Sequence, residues 1–239
     1  MIVAVSDPIA AAMHAANDTT PIVLIGGAVI EYGFAASLAR PGGKITGVDV
    51  YAGDEIWGKL LQIIKQAVPS ASNVAFLALR GWGGRGSGGQ KQVLEEASRQ
   101  LQISLVPTLI DESTPSEYRR VFADIARERA DAVIVHARGE LLRSRQLIVE
   151  LAEKSHLPVM YPYRDYVEAG GLMAYAIDWG ELGRRVADDV HEILDGANPA
   201  DIPIYLPAKC EFVINLKAAQ ALGLTIPPVL LARADEVIE

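Results

Sequence analysis

Cysteine occurs once in the 239 residues, so no internal disulfide can form. With Phe212, Val213 and Ile214 as neighbours, Cys210 reads as a small core residue rather than a reactive thiol. Basic charge is scarce: 22 Lys and Arg face 30 Asp and Glu, a formal net charge of −8. Without a basic excess to neutralise a run of phosphates, the composition argues against nucleic acid as a partner and against an anionic membrane surface. Long apolar runs are also missing. The longest uncharged stretch lies between Lys217 and Arg233 and is broken by Pro227-Pro228, whereas a spanning helix needs roughly 20 apolar residues. The start, MIVAVSDPIAA, has no basic n-region and is interrupted by Asp7, so it does not read as a signal peptide.

Several catalytic signatures are absent. There is no GxxxxGK[ST] phosphate loop, no GxSxG elbow and no H-x-x-x-H pair. With one Cys, a structural zinc site is not expected. Among the four histidines, His14 and His191 read as surface residues and His156 as part of a turn. His136 differs because it ends the strand DAVIV, where both a ligand contact and a structural role stay open. No nucleophile with an activating base is apparent, and no cofactor or metal is expected.

What is present is alternation. Short β-branched runs at 2–5, 21–25, 74–79, 103–110, 132–135 and 158–161 read as buried strands. Segments of helical period lie at 54–67, 90–101, 115–129, 141–155 and 179–194. Thr114 and Ser116 can cap one helix start, and Gly196 closes the helix ending HEILDG. Continuous apolar strands alternating with helices predict an α/β class with parallel sheets covered on both faces. ITGVDVY (45–51) and LMAYAID (172–178) are strand-like segments outside that series, each between a Gly-rich turn and a helix start. They suit strands that cross between two lobes, which predicts a ligand cleft where the lobes meet.

The glycine run RGWGGRGSGG (80–89) contains G-x-G-x-x-G at Gly81, Gly83 and Gly86, with Asp111 at the end of the next strand. A dinucleotide site is one reading. The helix is expected to start only near Gln90, too far from the third glycine, so a cleft-edge loop is the favoured reading.

Candidate ligand contacts gather at the carboxyl ends of the strands: Ser6 and Asp7, Gly26 and Gly27, Trp82, His136 and Arg138, and Tyr161, Tyr163 and Arg164. The segment 157–179 also holds Tyr166, Tyr175 and Trp179, so five rings fall together in a chain with only 8 Tyr, 3 Trp and 4 Phe. Flat rings, an acid, a cation and free helix-start amides suit a small zwitterion or a carboxylate with an apolar or aromatic body.

Three stretches carry a family resemblance: SLARPGGKITGV (37–48), YRDYVEAGGLMAYAID (163–178) and NLKAAQALGLTIPPVLLARADEVIE (215–239). The chain resembles the substrate-binding proteins of ABC importers, in particular the tryptophan- and tyrosine-type solute binders. The resemblance implies a type I periplasmic-binding-protein fold of two Rossmann-like lobes, an amino acid-like or aromatic carboxylate ligand, no catalysis, an ABC permease as partner and a periplasmic location. It places Tyr161, Tyr163 and Arg164 against the ligand from the second lobe. It also places Tyr175 on the crossing strand and Asp178 just beyond it as a partner for a ligand amine. Ser6-Asp7 resembles the family's small-residue helix start.

Departures from the pattern are Ala28-Val29 in place of Asp-Pro, the glycine run in place of an Asn-Pro type loop, and a late start. The resemblance implies about two earlier strand–helix units. The first lobe is therefore expected to be truncated, comprising 1–53 and 178–203, with 54–177 and 204–239 in the second. A homo-oligomer is expected to cover its exposed edge. Alternatives are a cytoplasmic ligand-sensing domain of the same fold, which suits a chain with no signal peptide, and a dinucleotide-dependent enzyme using the Gly81–Gly89 loop.

Overall fold

A computed structural model describes residues 1–16, 19–27, 29–50, 53–82, 88–207 and 209–239. Ala28 and residues 83–87 of the glycine run lie outside them. In chain order the elements are β1 (Ile2–Ala4), α1 (Asp7–Ala16), β2 (Ile22–Gly26), β3 (Ile45–Asp49), α2 (Glu55–Ala67), β4 (Asn73–Leu79), α3 (Gly88–Leu101), β5 (Ser104–Ile110), α4 (Pro115–Arg127), β6 (Ala132–Val135), α5 (Gly139–Arg143), α6 (Arg145–Lys154), β7 (Val159–Tyr161), α7 (Arg164–Glu168), β8 (Met173–Ile177), α8 (Trp179–Leu194), β9 (Cys210–Asn215), α9 (Leu216–Ala221), α10 (Pro228–Leu231) and β10 (Glu236–Ile238).

These elements form two compact units, Met1–Gly53 with Ile177–Cys210, and Asp54–Ala176 with Glu211–Glu239. The first unit contains a parallel three-stranded sheet in the order β1-β2-β3. Its alternating side chains face two cores. Ile22 and Leu24 pack with Ala4 and Ala10 on one side, while Val23 and Val48 pack with Leu182 and Val186 of α8 on the other.

The second unit is built on a seven-stranded sheet in the order β10-β9-β8-β7-β6-β4-β5. Its strands again divide by parity. Phe76, Ile134 and Met160 face α2, with Trp57, Leu60 and Ile64. Leu77, Val133, Val135, Val159 and Tyr161 face α4 and α6, with Tyr118, Phe122 and Ile148. Burial on both faces explains why these strands read as unbroken apolar runs.

Several local expectations are revised. The expected helix 141–155 is two helices, α5 and α6, meeting at Ser144. α3 begins at Gly88, two residues before the expected start. Thr114, not Ser116, caps α4, accepting the Glu117 N–H at 3.4 Å. Cys210 starts β9 and is half-buried rather than in the core.

Candidate functional site

In the seven-stranded sheet, β4 leads to β5 on one side and is paired with β6 on the other. The chain thus reverses its direction of travel across the sheet between β4 and β6. Ligands of open α/β sheets bind outside the carboxyl ends of the strands at such a point. Here those ends deliver Trp82, three residues after the end of β4, and His136, immediately after β6. The alternation of β6 continues one residue past its end, so His136 shares the face of Ile134 and points toward α2.

There it joins an aromatic cluster. The imidazole stacks on Trp57 with centroids 5.1 Å apart, and meets Phe76 edge-on at 5.7 Å. Trp82 lies against the same Phe76 at 4.6 Å. His136 is only 7% exposed. Burial, with the Arg138 charge adding to it, pushes its pKa down to about 3, so the ring is neutral at physiological pH. Its Nε2 faces Gln90 Oε1 of α3 at 3.3 Å. Its Nδ1 and the Trp82 Nε1 are both buried without a hydrogen-bond partner among the described residues.

Arg138 and Tyr163 are each the residue immediately before a short helix, α5 and α7 respectively, and Tyr163 packs against the other core, that of Tyr161 and Tyr166. Arg138 is exposed and has no ion-pair partner among the described residues. Tyr163 is half-buried, and burial raises its phenol to about 12, with Arg138 opposing the shift and Glu140 and Asp165 reinforcing it. Among the described residues the end of the sheet thus offers an indole donor, a neutral imidazole and a guanidinium without an ion-pair partner, and no activated nucleophile.

Residues 1–238 match the family described as ABC transporter substrate binding protein. The chain belongs to this family. This ABC transporter substrate-binding protein is 25% identical to the tyrosine-binding protein of Clostridioides difficile over 242 residues, spanning 99% of this chain and 67% of that one. Among solved structures it is similar to an ABC domain from Streptococcus pneumonia in complex with L-Trp, at 24% identity and a TM-score of 0.83, covering 100% of this chain and 78% of that one. It is also similar to a conserved domain protein from Vibrio cholerae, at 24% identity and a TM-score of 0.82, over 99% and 78% of the two chains. These neighbours establish the type I periplasmic-binding-protein fold for the substrate-binding protein.

Other sequence candidates are engaged elsewhere. Tyr161 is 1% exposed and stacks on Tyr166 at 4.6 Å inside the second core. Arg164 points at three carboxylates, those of Glu168, Glu211 and Glu236. Tyr175 lies within β8, edge-on to Phe212 at 6.2 Å. In the first unit, Asp178 caps α8 by accepting the Glu181 N–H at 3.0 Å, with Arg184 3.9 Å away. Asp7 Oδ2 accepts the Gly27 N–H at 3.1 Å, and Asp7 occupies the space where a Cβ on Gly26 would stand. Ser6 Oγ accepts the Ile9 N–H at 3.4 Å.

The dinucleotide reading meets a specific obstacle. The Asp54 carboxylate lies against Gly89 in the first turn of α3, so close that a Cβ there would fall 1.7 Å from Oδ2. A fixed negative charge already sits where a pyrophosphate would approach the helix start. Asp111, the candidate ribose acid, is ion-paired with Arg80. Trp57 and Gln90 lie on helices α2 and α3, where a search of strand ends does not reach them.

Proposed function

We propose that this substrate-binding protein is the solute-binding component of an ABC importer and takes a small amino acid-like or aromatic carboxylate ligand. The observation that carries the reading is the group at the β4–β6 reversal: Trp82 and neutral His136, backed by the buried Trp57 and Phe76, with Arg138, which has no ion-pair partner among the described residues, following His136. Rings accept a flat apolar body, and a guanidinium takes a carboxylate bidentately. Tyr163, just after β7, remains a proposed contact. The names of the similar proteins, one binding tyrosine and one solved with L-Trp, agree in ligand class. Ser6, Asp7, Gly26, Gly27, Tyr161, Tyr175 and Asp178 remain proposed contacts, while Arg164, which already faces three carboxylates, is proposed to act through the fold. The ligand leaves unaltered, a permease is the partner, and the compartment is periplasmic or extracellular.

A thermal-shift screen of aromatic and branched amino acids with matching aromatic acids tests the reading, because a ligand that binds the folded state raises its melting temperature. Stabilisation by at least one aromatic amino acid or acid is expected. Stabilisation by nicotinamide dinucleotides alone would overturn it. A gene neighbourhood with a permease and an ATPase is expected; one without them would favour a ligand sensor.

A further inference from the structure

The buried histidine of the aromatic cluster has its two nitrogens in different circumstances. Nε2 faces Gln90 Oε1 at 3.3 Å. An amide oxygen only accepts, so Nε2 carries the hydrogen and Nδ1 is left with its lone pair. That lone pair is buried and has no partner among the described residues, in a side chain 7% exposed. The ring cannot turn freely to relieve it, because Trp57 stacks on it at 5.1 Å and Phe76 meets it at 5.7 Å. A buried acceptor left unpaired is unusual and calls for an explanation. The position, at the reversal between β4 and β6, supplies one.

We infer that His136 reads the ligand as a neutral hydrogen-bond acceptor through Nδ1, held in that tautomer by Gln90, so that the ligand presents an N–H or O–H donor at this point. The inference rests on the ligand-binding reading above and adds which ligand group meets which protein atom. The carboxylate is assigned to Arg138; a carboxylate oxygen at Nδ1 would set two acceptors against each other. The charged group acting on the imidazole is Arg138, and the other groups packed against it, Trp57, Phe76 and Gln90, do not titrate. The acceptor state therefore persists from pH 5 to 8. Gln90 is a positioning residue, since it acts only through the imidazole.

Calorimetric titrations of wild-type, His136→Phe and Gln90→Glu protein test this with four probes. L-tyrosine carries an ammonium and a ring hydroxyl, L-phenylalanine the ammonium only, 3-(4-hydroxyphenyl)propanoate the hydroxyl only, and 3-phenylpropanoate neither. Wild type is expected to favour L-tyrosine over 3-phenylpropanoate, and His136→Phe to shrink that preference by about tenfold or more. The two single-donor probes identify the donor by which of them shares the loss. In wild type the L-tyrosine affinity is expected to be flat from pH 5 to 8. In Gln90→Glu the new carboxylate favours the imidazolium, which cannot accept, so affinity is expected to fall about tenfold between pH 8 and pH 5. Nitrogen NMR of the ligand-free wild type is expected to show Nε2–H and bare Nδ1. A preference unchanged in His136→Phe together with a flat Gln90→Glu profile would overturn the inference, as would an Nδ1–H tautomer. If wild type binds none of the probes, the amino acid reading itself fails and the inference goes with it. If wild type binds L-tyrosine and only the variants behave otherwise, the inference alone fails.

Discussion

Arg164 Nη2 donates to Glu236 Oε2 at 2.6 Å, tying α7 to the outer strand β10 across 72 residues of chain. Its Nε donates to Glu168 at 2.8 Å, and Nη1 meets Glu211 of β9. The guanidinium is held above its ordinary pKa by these carboxylates, and its side chain is 34% exposed. One cation among three acids is a structural clasp. Arg164→Met is expected to lower stability by about 1–2 kcal/mol at low salt, less at high salt, with little change in ligand affinity. Urea unfolding at two ionic strengths checks this. Unchanged stability with lost binding would instead make Arg164 a ligand contact.

The ring-rich segment owes much of its composition to packing. A Cβ on Gly171 would stand 2.5 Å from Tyr161 Cε2 and 2.7 Å from the Tyr166 carbonyl oxygen, so only glycine lets the Tyr161–Tyr166 stack close. Gly171→Ala is expected to cost about 1–3 kcal/mol through overpacking. Tyr166→Phe removes a hydroxyl that is buried and unpartnered, and is expected to be neutral or slightly stabilising. Thermal melts of the two variants should move in these different ways.

Asp189 sits fully buried on the face of α8 that carries Leu182 and Val186. Arg185 Nη2 lies 3.0 Å from its Oδ1, within ion-pair range, yet neither carboxylate oxygen has a partner in hydrogen-bond geometry. Burial raises the pKa to about 6; Arg185 opposes the shift and Glu192 and Asp188 reinforce it. The folded state therefore holds its proton more tightly than the unfolded state. Stability is expected to fall as pH rises from about 4 through about 6, then level off. Asp189→Asn is expected to stabilise the protein by about 1–3 kcal/mol at pH 8, with the gain fading toward pH 4. A gain that does not depend on pH would contradict this.

Among the described residues, the exposed large apolar side chains fall almost entirely in the first unit, including Val3, Val5, Ile9 and Met13; the second unit contributes Val229. β1 is the outer strand of its sheet. An uncharged edge beside exposed apolar side chains favours self-association. Light scattering is expected to give a mass that grows with concentration, and Val5→Lys with Ile9→Lys is expected to reduce it. A wild-type monomer at high concentration would count against the expectation.

Much of this architecture is legible in sequence because buried parallel strands leave unbroken β-branched runs. β9 and β10 were not. CEFVIN opens on half-buried Cys210 and Glu211, and EVI is three residues long. Ser144, between α5 and α6, leaves no Gly or Pro signal for a break. At the site, strand ends pointed to Trp82, His136 and Arg138, but proximity to a strand end does not fix side-chain direction. Tyr161 shares parity with Val159 and enters the core. Trp57 and Gln90 reach His136 from α2 and α3, a meeting that only the packing of helices on the sheet creates.

Isothermal titration calorimetry with L-tryptophan and L-tyrosine, followed by mass spectrometry of the recovered ligand, tests the central claim most directly. Wild-type protein is expected to bind at least one of them in the micromolar range or tighter and to return it chemically unaltered. Arg138→Gln is expected to weaken that binding about tenfold or more, as loss of a charged hydrogen bond does. No heat with either amino acid, or a chemically changed ligand, would contradict the account.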